Sequence, residues 1–139
     1  MSTSALVLTL FISWALALLI LMEVIRSYLT LSGQRKANEF SPDNAGLSPF
    51  MQRLARAHAN CVEGLPICGG LLLVAIITGQ TAMTDPLAPA LIIARMGQSL
   101  IHLVSISPLA VYLRFTAFSV QLVIAAWWAF SLVRVATQA

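Results

Sequence analysis

Between Arg53 and Pro66 the chain reads Arg53-Leu-Ala-Arg56-Ala-His58-Ala-Asn60-Cys-Val-Glu63-Gly-Leu-Pro66, with positions 53, 56, 60 and 63 separated by intervals of three and four. On a helix that spacing draws two guanidinium groups, an amide and a carboxylate into one stripe. The stripe opens an apolar run long enough to cross a bilayer. Charged side chains cost roughly 3 kcal/mol each in hydrocarbon, so they face a protein interior or a wet cavity. A lipid-headgroup patch would need neither Asn60 nor Glu63. A ligand carrying carboxylates and an ammonium would use the whole stripe, which points to a peptide or amino-acid-like molecule.

A second stripe follows at Arg95, Gln98 and His102, again at intervals of three and four, and Arg114 stands at the start of the last apolar run. A cation beside a thiol or hydroxyl lowers its pKa and makes the anion nucleophilic. Arg26, Arg53, Arg56, Arg95 and Arg114 supply five positive charges against two negative ones at Glu23 and Glu63. Arginine does not escape burial by losing a proton, so the surplus calls for an anion, either lipid phosphate or an acidic ligand held by arginine forks. Each residue also has a plainer reading. Glu63 can neutralise Arg95 or Arg56, and Glu23 can pair with Arg26. Asn60 can bridge helices, His102 can be a satisfied interior histidine, His58 can face headgroups, and Arg114 can anchor its helix. Cys61 and Cys68, seven apart, lie about 10 Å apart on one helix. That is too far for a disulfide, and they read as small buried residues. There is no His/Cys ligand cluster and no Gly-rich phosphate loop, so neither a metal nor a nucleotide site is expected.

The elements that carry these stripes are set by composition. Of 139 residues, 59% are hydrophobic and 9% charged, where a soluble domain carries about a quarter charged. The chain is therefore read as an all-α integral membrane protein. Apolar stretches over about 5–29, 55–79, 87–106 and 111–135 are each long enough to span, and they make one four-helix transmembrane domain over 1–139. The first stretch has no basic residue before it and no small-residue cleavage site after it, so it is read as a retained helix. The 30–52 segment is a loop rich in Gly, Pro, Asn and Ser. Ser48-Pro49 is expected to open the second helix and Asp85-Pro86 the third. Pro66 is expected to free the Val62 carbonyl and bend its helix, and Gly69-Gly70 to admit a neighbouring helix. Trp127, Trp128 and Arg134 read as an interfacial anchor. Arg35 and Lys36 make the first loop basic, and the loop holding Asp85 has no cation. The first loop is therefore expected to be cytoplasmic, with both termini opposite.

The stretch Arg56-Ala-His58-Ala-Asn60-Cys-Val-Glu63-Gly-Leu-Pro66 resembles the R-x-x-x-N-x-x-E-x-x-P signature of the MAPEG proteins, the membrane-associated proteins of eicosanoid and glutathione metabolism. Length, four spans and a basic first loop fit over essentially the whole chain, and the short size is similar to that of bacterial members. The resemblance implies a homotrimer of four-helix protomers in a bacterial inner membrane, with glutathione bound between subunits near the cytoplasmic side. By that resemblance Arg56, Asn60 and Glu63 hold the glutathione backbone, with His58 lining the site. Arg35 and Lys36 lie near the glutathione carboxylates, and Arg53 stands at the mouth. Gln98 and His102 contact glutathione from the third helix, Arg95 is counted as a glutathione-binding residue with them because it shares their stripe, and Arg114 stabilises the thiolate. The implied activity is that of a glutathione transferase, or a glutathione peroxidase, with glutathione as co-substrate and no metal. The implied partners are a lipophilic electrophile or lipid hydroperoxide, membrane lipid and further copies of the chain, with no nucleic acid.

Several positions depart from the family pattern. Gln98 and His102 stand where eicosanoid-producing members have tyrosines, Gly64 replaces a tyrosine of leukotriene synthase, and Phe118 replaces one of the prostaglandin synthase. The segment between His102 and Arg114 is longer than in the animal enzymes. These differences argue against specialised eicosanoid synthesis. The alternative is a non-catalytic lipid-binding or scaffold member of the same fold. A small multidrug exporter is disfavoured, because Glu23 lies near a helix end and the arginine surplus repels cationic drugs.

Overall fold

The computed structural model describes residues 1–139 and is built from helices without strands. Helix α1 spans Thr3–Leu31, α2 spans Pro49–Gly64, and α3 spans Gly70–Ile77. A π-helical stretch, Leu65–Gly69, joins α2 to α3 in one continuous rod, Pro49–Ile77. A short helix α4, Thr81–Thr84, leads to α5, Ala88–Val104, and α6, Pro108–Gln138, closes the chain.

Serine caps open three of the long elements. Ser2, Ser48 and Ser107 accept from the backbone N–H groups of Ala5, Met51 and Ala110 at 3.1, 3.3 and 3.2 Å. Pro49 and Pro108 follow two of these caps, in first-turn positions where a missing N–H costs nothing. Gly33 and Gly79 close α1 and α3 with φ of 77° and 69°. At each end a 3.1–3.3 Å bond to the second-last carbonyl pairs with a 2.7–3.0 Å bond from the next residue to the carbonyl before it. That reversal needs the left-handed conformation glycine adopts without strain.

Helix α1 buries Ser4, Val7, Phe11, Ala15, Leu18 and Met22, a stripe at intervals of three and four. Its remaining faces stay apolar and exposed, as at Leu10, Leu16 and Ile20. A helix apolar all round suits a lipid solvent. Helix α5 lies against α1, α2 and α6, and Phe11, Leu54, Leu72, Leu91 and Trp128 are the large apolar side chains at the centre of the core.

Three rods, Thr3–Leu31, Pro49–Ile77 and Pro108–Gln138, are long and apolar enough to cross a membrane. The third expected span is shorter than its 87–106 reading. Helix α5 has 17 residues, or about 25 Å against a hydrocarbon core of about 30 Å. Ser105 is extended, at φ −151° and ψ 150°, and Ser107-Pro108 begins α6 instead. Asp85-Pro86 does not open α5 either. Asp85 ends α4, and its carboxylate accepts from the Ser4 N–H at 2.7 Å and the Ser4 hydroxyl at 2.6 Å. A remote carboxylate thus caps the first turn of α1. Asp85→Ala is expected to lower stability by about 1–2 kcal/mol, with Asp85→Asn losing less because it keeps an acceptor. Thermal unfolding in detergent reads both.

Pro66 lies inside the π-helical stretch, where the wider turn accommodates the residue that cannot donate. A Cβ on Gly69 would come within 3.1 Å of Leu8 of α1, whereas Gly70 faces open space, so only the first of the two glycines admits a neighbour. The expected tryptophan anchor also divides. Trp127 is exposed and 6.3 Å from the Phe130 ring, while Trp128 is 0% exposed and belongs to the core.

The 32–48 loop is pinned by Arg26, which pairs with Glu23 at 2.9 Å in the only ion pair of the protein. Its guanidinium also donates to Asn44 Oδ1 and the Ser41 carbonyl, and stacks 5.7 Å over Phe40. Asn44, buried at φ 56°, donates to the Met51 carbonyl at 2.7 Å. Arg26 therefore holds the loop, and together with Glu23 and Phe40 it also lines a surface cleft at this end of α1. In the same loop the Ser41 hydroxyl and the Ala45 N–H donate to Asp43 and hold its carboxyl below the usual carboxylate range. A depressed folded-state pKa means this turn is complete above the ordinary carboxylate pKa and is lost as pH falls through the lowered value. Protection of the Ala45 amide, measured against the intrinsic exchange rate at each pH, is expected to fall on acidification, and that pH-dependent fall is expected to be absent in Asp43→Ala.

Candidate functional site

The helix-2 stripe forms as a physical face. From Arg53 to Gly64 it climbs about 16 Å along the axis, so its lower arginines and its upper carboxylate reach different depths. Arg53 Nε donates to the Leu103 carbonyl at 2.9 Å, satisfying an acceptor in the last turn of α5 where a cation is electrostatically favoured. Arg56 is exposed and His58 half-buried. Asn60 Nδ2 lies 3.4 Å from His102 Nδ1, and the amide donates there when that ring nitrogen carries no proton. Arg53, Arg56 and Arg114 all lie close enough to His102 to bear on it electrostatically. One end of the protein thus gathers cations from α2 and α6 around a buried histidine of α5.

Deeper in the protein a cavity of about 340 Å³ is lined by Asn60, Glu63, Gly64, Arg95, Gln98 and Gln121, with Ile67, Cys68, Phe118, Leu122 and Ala125 as its less polar wall. Arg95 dominates it. The side chain is 2% exposed, its Nη1 donates to the Asn60 carbonyl at 3.1 Å, and its Nε has no partner. The guanidinium rests 5.4 Å from the Phe11 ring centroid, a cation–π contact strengthened by exclusion of water. No carboxylate pairs with it. Gln121 Nε2 donates to Gln98 Oε1 at 2.9 Å and to the Ala117 carbonyl at 3.0 Å, leaving Gln121 Oε1 without a partner. Glu63 is exposed and makes neither an ion pair nor a hydrogen bond within the protomer. Its plainer reading, neutralising Arg95 or Arg56, is not what the side chain does.

Of the residues marked from sequence, Asn60, Glu63, Arg95 and Gln98 meet at the cavity. His102 joins through Asn60, while Arg53, Arg56 and Arg114 stand nearer the loop end. Arg114 is half-buried with an unpartnered Nε and does not line the cavity of a single protomer. Arg35 donates to the Gly46 carbonyl at 2.8 Å, and Lys36 is exposed without a side-chain partner; neither reaches the cavity. Gly64, noted in the sequence only as a departure from the family pattern, and Gln121 have no site role in the sequence reading. Gln121 was visible as a lone amide in an apolar helix, but nothing in its spacing tied it to Gln98.

Long apolar helices enclosing a buried cation and a polar cleft define an α-helical integral membrane protein. The chain belongs to the MAPEG family, whose family model matches residues 4–134. That family includes glutathione transferases and related members. No curated protein and no solved structure matches the chain.

Proposed function

We propose that the protein is a membrane glutathione transferase, acting as a homotrimer of four-helix protomers in a bacterial inner membrane with the first loop and the site on the cytoplasmic side. The reading is carried by Arg95, a buried guanidinium with no acidic partner that shares a cavity with Asn60, Glu63 and Gln98. A permanent cation kept from water demands an anion, and the neighbouring amides and free carboxylate match the polar groups of a peptide ligand. Glu63 is left to meet the ligand's ammonium. Arg56, exposed on one protomer, faces the cleft that a second protomer would complete, together with His58 and His102. Arg35, Lys36 and Arg53 draw the acidic peptide from the cytoplasm.

Arg114 stabilises the bound thiolate. The sulfur attacks an electrophilic carbon of a substrate arriving from the bilayer, and the leaving group departs with its electron pair. With a lipid hydroperoxide the sulfur takes the distal oxygen, the alcohol leaves, and a second glutathione releases water as the disulfide forms. Preorganised charge supplies most of the acceleration, and a moderate fall in thiol pKa is the useful one because nucleophilicity declines with it.

The test uses the detergent-purified protein. Adding glutathione is expected to produce the ultraviolet absorption of a thiolate at neutral pH, and turnover with aromatic electrophiles or a lipid hydroperoxide. Binding of lipid with no thiolate signal and no turnover across a broad electrophile panel would assign the chain to a non-catalytic role instead.

A further inference from the structure

Gly64 has a specific neighbour. A Cβ built at this position would lie 2.3 Å from Arg95 Nη2, 3.1 Å from Cζ and 3.7 Å from Nε. No other group occupies that space, so the missing side chain is filled by the guanidinium of Arg95 crossing the face of α2. Arg95 cannot be both extended along this path and opposed by any larger residue at 64. The path brings its Nη1 to the Asn60 carbonyl, lays the guanidinium over Phe11 and leaves Nε free within the cavity wall. Gly64 is helical, at φ −76° and ψ −24°, so the backbone places no demand for glycine there. The demand comes from Arg95.

We infer that Gly64 is a positioning residue which seats the Arg95 guanidinium in the cleft, where Arg95 receives a carboxylate of the bound peptide. This rests on the glutathione reading above and deepens it, because it assigns one anionic group of the ligand to the deep cation rather than to the arginines at the mouth. The neighbouring chemistry is consistent with that assignment. Glu63, on the adjacent residue, is unpaired and repels a carboxylate from its own side of the cleft, so an anion and an ammonium are sorted between Arg95 and Glu63.

Calorimetric titration with glutathione and with its carboxyl-esterified form tests this. In Arg95→Gln and in Gly64→Ala, affinity for glutathione is expected to fall about tenfold to a hundredfold, the loss of one charge-assisted contact. Affinity for the ester blocked at the contacted carboxylate is expected to stay as in the unmodified protein. The double variant is expected to bind no more weakly than either single one, because each change removes the same contact. Arg95→Gln also removes the atoms that a Cβ at 64 would strike. The double variant is therefore expected to fold, and to give the same binding result, even where Gly64→Ala alone does not fold. Gly64→Ala binding glutathione as the unmodified protein does would overturn the inference. So would equal weakening toward acid and ester, or a double variant that fails to fold. If the unmodified protein binds no glutathione, the thiol reading itself fails and this inference goes with it. A positive titration with an insensitive Gly64 defeats the inference alone.

Discussion

Arg114→Ala is expected to eliminate the glutathione thiolate signal and reduce turnover about 100-fold or more, with a much smaller change in thiol binding. The reasoning is electrostatic. Removing one preorganised donor from a water-poor site costs about 3 kcal/mol of transition-state stabilisation, and that loss falls on the reacting sulfur rather than on the peptide backbone held elsewhere. Arg114 lies half-buried near the start of α6, with an Nε that has no partner, among the cations grouped about His102. It is thus available to a ligand in a way that Arg26, saturated by Glu23, Asn44 and Ser41, is not. Arg114→Lys keeps the charge but loses the fork, and is expected to fall between the two. Arg134→Ala, about 30 Å further along the same helix, is the control and is expected to leave turnover intact. Within one protomer Arg114 does not line the cavity, so its role requires the site to extend toward the loop end. Full turnover in Arg114→Ala would sink the assignment.

Local sequence carried the helix starts and the polar stripes well, because each is governed by neighbours within a turn. Ser48-Pro49 opens α2 as its capping chemistry predicts, and Asn60, Glu63, Arg95 and Gln98 meet because three- and four-residue spacing places them on facing sides of adjacent helices. Long-range partners were not legible. Asp85 beside Pro86 looks like a local helix start, yet it caps α1 across 81 residues of chain. Trp127 and Trp128 are indistinguishable by composition, but a helix turns about 100° per residue, and that rotation puts one on the outer surface and the other in the core. Arg53 reads as a ligand-site arginine, and its partner is a backbone carbonyl that no side-chain pattern reveals. Gly64 carries no chemistry of its own. Its meaning exists only once Arg95 is seen lying across it.

Phe11→Ala is expected to have the largest effect on stability, and to reach the site as well. Phe11 is 0% exposed at the centre of the core, with the Arg95 guanidinium stacked on its ring. Lipid tails are as apolar as a phenyl ring, so what the truncation removes is packing and not exposure to water. The cavity and the lost dispersion contacts still amount to about 3 kcal/mol, to which the uncushioned cation adds. Leu16 lies on the same helix but is 52% exposed and faces outward. Leu16→Ala is therefore expected to change stability by no more than about 0.5 kcal/mol. Thermal unfolding in one detergent compares the two, and glutathione titration then separates the roles of the ring. If Phe11 only fills space, Phe11→Leu restores both stability and binding. If it also supports Arg95 through its π face, Phe11→Leu recovers most of the stability while binding stays several-fold weaker. A Phe11→Ala protein as stable as Leu16→Ala would mean that the helices do not pack through this stripe, and the placement of Arg95 beside the cavity would fall with it.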